Sequence, residues 1–159
     1  MARFIKKQQK EIGVSPDDLI VIGKRKEENT VLSIIDYDKN NTVETSINSV
    51  KEALLYQEKN STTWFNVDGI DKVEIMQEIA EGFHFDNFIM ADVMNTHARS
   101  KVQENDNGLY LSIKMLQISE SSNSISFENL SIIITKSVLL SFQEKVGDVF
   151  EPVRSRIRK

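Results

Sequence analysis

The chain has 159 residues, 40% hydrophobic and 28% charged, which suits one ordinary globular domain with a single core. Its net charge is −4, its basic residues cluster at the two ends, and no stripe of Lys and Arg interleaves with aromatics, so nucleic-acid binding finds no support. There is no Cys, which removes disulfides, thiolate catalysis and Cys-ligated zinc, and no apolar run approaches the roughly 20 residues that cross a bilayer.

Residues 1–17 carry Arg3, Lys6, Lys7 and Lys10 without the apolar stretch of a secretion signal, and read as a mobile basic tail. Residues 19–22, Leu-Ile-Val-Ile, read as a short buried strand closed by Gly23. A polar loop over 24–30 leads to a second strand over 31–37. A third strand is expected over 42–47 and a short helix over 50–56. Residues 62–67 form a strand that ends at Asp68-Gly69. Asp71 then caps a helix with Glu74 as its capping-box partner, and Val73, Met76, Ile79, Ala80 and Phe83 line the apolar face. A second helix fits 87–95, with Asp86 as its N-cap.

The pattern changes after Lys101. Asn105-Asp106-Asn107-Gly108 is a turn signal, followed by a long strand over 109–118, a polar turn over 119–123, a strand over 124–135, a tight connection at Lys136-Ser137 and a strand over 138–142. The dense β-branched run places Ile132, Ile133, Ile134, Leu139 and Leu140 in the sheet interior or on its helix-covered faces. Val146, Val149, Phe150, Val153 and Ile157 then make one apolar helical stripe, with Asp148 and Glu151 as a capping box. No stop signal follows, and Arg154, Arg156, Arg158 and Lys159 suit either the negative end of a surface helix or a helix that continues. The fold class is α/β: a single domain with a mixed parallel/antiparallel sheet between helical layers.

Candidate chemistry is sparse. His84 and His97 have no neighbouring nucleophile pattern and read as structural or surface residues. There is no Gly-rich phosphate loop and no nucleophile elbow. Asp36-x-Asp38-x-Asn40 opens like a calcium loop, but Asn41 stands where Gly is needed and Ile47 where the bidentate Glu belongs, so it reads as a strand end with a turn. Met76, Met90 and Met94 fit helix faces as core filler. Asp92 falls with Ala91 and Asn95 on the polar side of the 87–95 helix, facing solvent or a partner. One carboxylate holds Mg2+ weakly, so a second acidic group would come from elsewhere, such as another subunit.

Four segments together resemble the N-terminal cytoplasmic domain of the CorA family of magnesium transporters. They are Trp64-Phe-Asn-Val-Asp-Gly-Ile70, Ala91-Asp-Val-Met-Asn-Thr-His-Ala-Arg-Ser-Lys-Val102, the hairpin over 131–142 with Thr135-Lys136 at its turn, and the tail over 142–158. The likeness runs from about Asp18 onward and rests on their order and spacing. It departs from the family pattern at Ala91, where Glu is frequent, at Ser100, where Pro is usual, and at Gln103, where Glu is frequent.

The resemblance implies an α/β regulatory domain at 18–146 and, at 147–159, the start of a helix that connects to a stalk. It implies no catalysis, a homopentamer in the full-length protein, and a location on the cytoplasmic side of an inner or plasma membrane. It further implies that Asp92 helps bind a regulatory Mg2+ between adjacent subunits, which holds the channel closed, with Mg2+, Co2+ and Ni2+ as candidate transported ions. The change at Ala91 removes one potential ligand. A freestanding α/β enzyme or small-ligand binder, and a domain of a related zinc transporter, remain the alternatives.

Overall fold

The computed structural model describes residues 19–23, 29–119 and 124–159. The expected tail over 1–17, most of the 24–30 loop and most of the 119–123 turn lie outside the described residues.

One sheet organises the fold. Its strands are β1 (Val31–Tyr37), β2 (Thr42–Ile47), β3 (Thr62–Asp68), β4 (Lys101–Asn105), β5 (Gly108–Ser119), β6 (Ser124–Ile134) and β7 (Val138–Gln143), in the spatial order β2-β1-β3-β7-β6-β5-β4. All neighbours run antiparallel except β3 and β7, which are parallel. A parallel join needs a long crossover. The chain between β3 and β7 supplies it, carrying α2 (Val73–Phe83), α3 (Asn87–Val93) and the β4–β6 meander. A short helix, α1 (Val50–Leu54), joins β2 to β3, and α4 (Glu151–Ile157) follows β7.

The period-2 alternation of each strand sorts the residues onto two faces. Ile34, Phe65, Leu140, Ile133 and Tyr110 stand side by side across β1, β3, β7, β6 and β5, all fully buried. Helices α1 to α3 bury Val50, Ala53, Met76, Ile79, Phe83, Ile89, Met90 and Val93 on that face. Phe83 stacks between Phe65 and Phe85. Met76, Met90 and Met94 are fully buried, as expected of core filler. On the opposite face, Trp64 lies in a row with Ile35, Leu139 and Ile134, and the segment leading into α4 covers its ring through Phe150, edge-on at 5.9 Å between centroids. The second helical layer is thin, since α4 fully buries none of its residues.

Several expectations are corrected. Residues 19–22 make only an isolated parallel bridge, Ile22 to Asn95, while Leu19 is buried in the core, so the apolar run serves packing rather than a ladder. Helix α1 ends at Leu54 and α3 at Val93, short of Tyr56 and Asn95. The cap of α2 is Lys72, extended at φ −92° and without a side-chain cap bond, not Asp71. Strand β4 was not foreseen: Lys-Val-Gln-Glu-Asn has one β-branched residue, and pairing with β5 makes it a strand. Ile134 is 41% exposed and Ile132 and Leu139 are half-buried, because α4 does not reach across the whole rear face. Helix α4 begins at Glu151 rather than Asp148. Val146, Val149 and Val153 of the apolar stripe are exposed, while Phe150 meets Trp64.

Candidate functional site

The segment that carries Asp92 is fixed at both ends. At its start the Asp86 carboxylate accepts the Phe88 N–H at 2.8 Å, a side-chain N-cap. Ile89, Met90 and Val93 turn inward, which leaves Ala91 and Asp92 half-buried along the helix edge. At its end the Ile22 N–H donates to the Met94 carbonyl at 3.2 Å and the Thr96 N–H donates to the Ile22 carbonyl at 3.0 Å. The fit is close: a Cβ at Gly23, whose φ is +130°, would lie 1.9 Å from Thr96 Oγ1. Lys114 Nζ donates to the Thr96 carbonyl at 3.1 Å and to Asn129 Oδ1 at 3.0 Å, tying the exit loop to the sheet.

Strand β4 then returns alongside α3. Its register against β5 sets Lys101 opposite Ser112, and Lys101 Nζ makes an ion pair with Asp92 Oδ2. The two side chains are 36% and 32% exposed, so the pair sits at the surface rather than in the core. Lys101 Nζ also donates to Gln103 Oε1 at 3.3 Å and lies 5.5 Å from the centre of the Tyr110 ring. Tyr110 is fully buried, and burial first, with the Asp92 charge adding to it, pushes its hydroxyl above the usual phenol range. Asp92 therefore does not face open solvent as an isolated acid. Lys101 is the residue that sequence reasoning missed. No local signal in the sequence marks the pair, because only the return of strand β4 against β5 brings residues 92 and 101 together.

The other candidate residues disperse. His84 ends α2 in the left-handed region at φ 57° and is exposed, with the Asn107 side-chain amide on its carbonyl. His97 is half-buried, and its N–H donates to Asn95 Oδ1 at 3.0 Å. Asp38 closes a turn by accepting the Asn40 and Asn41 N–H groups at 2.7 and 2.9 Å, while Asp36 Oδ1 accepts the Ser61 and Thr63 hydroxyls. Ser100 and Gln103, two of the departures from the family pattern, are exposed, and Ala91 packs at the edge of the core.

A second polar cluster lies under α4. Trp64 Nε1 donates to Ser141 Oγ at 2.7 Å, which donates to Asn66 Oδ1 at 2.6 Å. Asn66 and Gln143 amides donate to Asp68 Oδ1 at 3.0 and 2.6 Å. Burial raises the Asp68 carboxyl above the usual range against those bonds. Asp148 pairs with Arg154 through both carboxylate oxygens. Burial pushes Asp148 up, but the Arg154 and Phe150 hydrogen bonds and the guanidinium charge outweigh it and hold the carboxyl below the usual range. Every acid here is bonded within the fold, so this cluster serves to dock α4.

Mg2+ is a hard cation that keeps several waters and takes one or two carboxylates. Asp92, a half-exposed carboxylate on a helix edge, fits as one such ligand. Among the described residues no three His, Cys, Asp or Glu side chains gather to hold an ion, so the described chain does not make a cage alone. No helix among the described residues is long and apolar enough to cross a membrane.

The model of the family described as CorA-like Mg2+ transporter protein matches residues 59–159. The chain is 32% identical over 146 residues to the cobalt/magnesium transport protein CorA of Thermotoga maritima, a match that covers 92% of this chain and 41% of that relative. The chain thus spans about two fifths of the curated relative it matches. Among solved structures, the complete CorA magnesium transporter of Methanocaldococcus jannaschii aligns with a TM-score of 0.54 at 12% identity over 79% of this chain and 35% of that one. The full-length CmaX protein aligns at 0.60 and 10% identity over 83% and 39%. At such identities these two likenesses establish the shared fold. The family match over residues 59–159 and the 32% identity carry the assignment: the chain belongs to the CorA-like Mg2+ transporter family.

Proposed function

We propose that this chain is the cytoplasmic sensing domain of a transporter for Mg2+, with Co2+ as a further substrate, and that it binds ions rather than catalysing a reaction. In this reading Asp92 contributes one carboxylate to a regulatory divalent-cation site at a subunit boundary, and an acidic group of a neighbouring copy completes it. The observation that carries the reading is the placement of Asp92. It stands on the half-exposed edge of α3, inside the matched 59–159 segment, on a helix whose other face is locked into the core.

The chemistry follows from charge. Two carboxylates facing each other across a boundary repel, and a divalent ion between them turns repulsion into a link. A homopentamer repeats one such boundary around a closed ring. If the ion binds the closed arrangement more tightly than the open one, filling the sites shifts the population toward closed by that difference in affinity. The test is uptake by the transporter that carries this domain, with Asp92→Ala, across a range of internal Mg2+. Inhibition should require more Mg2+ in the variant; overlaid inhibition curves would remove Asp92 from the regulatory site.

A further inference from the structure

We propose that Lys101 is a tethered competitor for the cation at Asp92, and that it sets the divalent-ion concentration at which that carboxylate becomes occupied. This inference rests on the assignment of Asp92 as a ligand. Its own support is the geometry around Lys101.

The pair is built by the fold rather than by two long side chains meeting by chance. Asp92 is held by α3, whose exit is pinned to Ile22 and, through Thr96, to Lys114. Lys101 is held by the β4–β5 register opposite Ser112. The ammonium therefore rests on one of the two carboxylate oxygens, Oδ2, of the group a metal ion would share. A Lys ammonium is a compact point charge, and at that oxygen it does the electrostatic work of a monovalent cation.

The ammonium also has somewhere to go. Gln103 Oε1 lies 3.3 Å from Nζ, and the face of the Tyr110 ring lies 5.5 Å away. Both are partners that a displaced Lys101 keeps without crossing the surface. Because the two side chains are 36% and 32% exposed, solvent screens the pair and it is weak enough for a divalent ion to break. Lys101 then acts twice against binding: its bond to Asp92 is lost, and its positive charge stays within a few ångströms of the incoming ion, inside the screening length of physiological salt. Together these effects lower affinity by about three- to tenfold.

Lys101→Met keeps an unbranched apolar stem and removes the charge, so the site should fill at about three- to tenfold lower ion concentration. Lys101→Arg keeps a charge that pairs with carboxylate at least as well, so the site should not fill more easily.

The experiment uses the 159-residue chain with Mn2+ as the probe, read as paramagnetic broadening of the amide signals of residues 89–95 and 101–103, with Mg2+ added as competitor. The expected result is broadening that Mg2+ reverses, that Asp92→Asn abolishes, and whose midpoint falls in Lys101→Met. An unchanged midpoint in Lys101→Met, with binding still lost in Asp92→Asn, overturns the competitor and leaves Asp92 as a ligand. Broadening that survives Asp92→Asn overturns both, while its absence in the wild type and in Lys101→Met overturns the competitor alone, since a neighbouring copy completes the proposed Asp92 site. A second readout needs no variant. The Lys101 side-chain nitrogen signal of the wild-type chain should shift on saturation with Mg2+, and a signal that stays in place overturns the inference even if Lys101→Met folds poorly.

Discussion

Arg154 lies over the indole of Trp64, its guanidinium carbon 4.7 Å from the ring centroid, while its two terminal nitrogens grip Asp148. One side chain thus joins α4, the loop before it and the central strand β3. Phe150 meets the same indole edge-on, and the indole N–H enters the Ser141–Asn66 chain beneath. The rear face of the sheet is polar at its centre, and this arrangement closes it without an apolar helix face.

Trp64→Ala removes a large side chain that is only 8% exposed, and should lower unfolding stability by about 3 kcal/mol, read from urea denaturation. Arg154→Lys keeps the charge but loses the planar fork on Asp148 and the guanidinium over Trp64. It should cost about 1–2 kcal/mol, and amides of α4 should exchange faster than those of β3. Equal exchange rates in the variant and the wild type would contradict the docking role.

Acid should loosen this docking. The folded Asp148 carboxyl sits below its unfolded value, so its contribution is present above that unfolded value, about pH 4, and is lost as pH falls through the folded one. Fluorescence of Trp64, the only tryptophan, should report the change. Asp148→Asn should flatten the acid limb, and a limb of unchanged slope would show that other carboxylates control it.

Asp68 works in the opposite sense. Its folded carboxyl lies above the unfolded value, so the fold binds its proton more tightly, and its own contribution to stability is fully present below about pH 4 and is lost as pH rises through the raised value. Asp68→Asn keeps an oxygen that can accept the Asn66 and Gln143 amides and removes the buried charge. It should hold or raise the thermal midpoint at pH 7. A fall of several degrees there would mean that the charge, through Arg154, stabilises the fold.

Gly23→Ala forces a Cβ into Thr96 Oγ1 at a backbone angle that side chains rarely adopt. It should cost about 1–3 kcal/mol and release the Ile22–Asn95 bridge, seen as faster exchange of the Thr96 amide. Retained protection of that amide would show that the exit of α3 is held elsewhere.

The isolated chain should sediment as a monomer at micromolar concentration. The proposed boundary at Asp92 gives it one carboxylate per copy, and that carboxylate is paired with Lys101 within the same copy. A stable pentamer in dilute solution, with or without Mg2+, would contradict this.

Most element positions were legible because they are written in local periodicity. The β-branched residues of Val31–Tyr37 and Thr42–Ile47, the helical spacing of Met76, Ile79, Ala80 and Phe83, and the Asp86 cap each depend on residues a few positions apart. The sequence alone also determined the fold class and, through the four motif segments, the family. It singled out Asp92. Only the tertiary structure decided which strands are neighbours, that β4 is a strand at all, and that Asp92 is met by Lys101 and Trp64 by Arg154. Those pairings depend on the parallel join of β3 with β7 and on the register of β4 against β5. Both are contacts between segments distant along the chain, and no local pattern of side chains encodes a distant register.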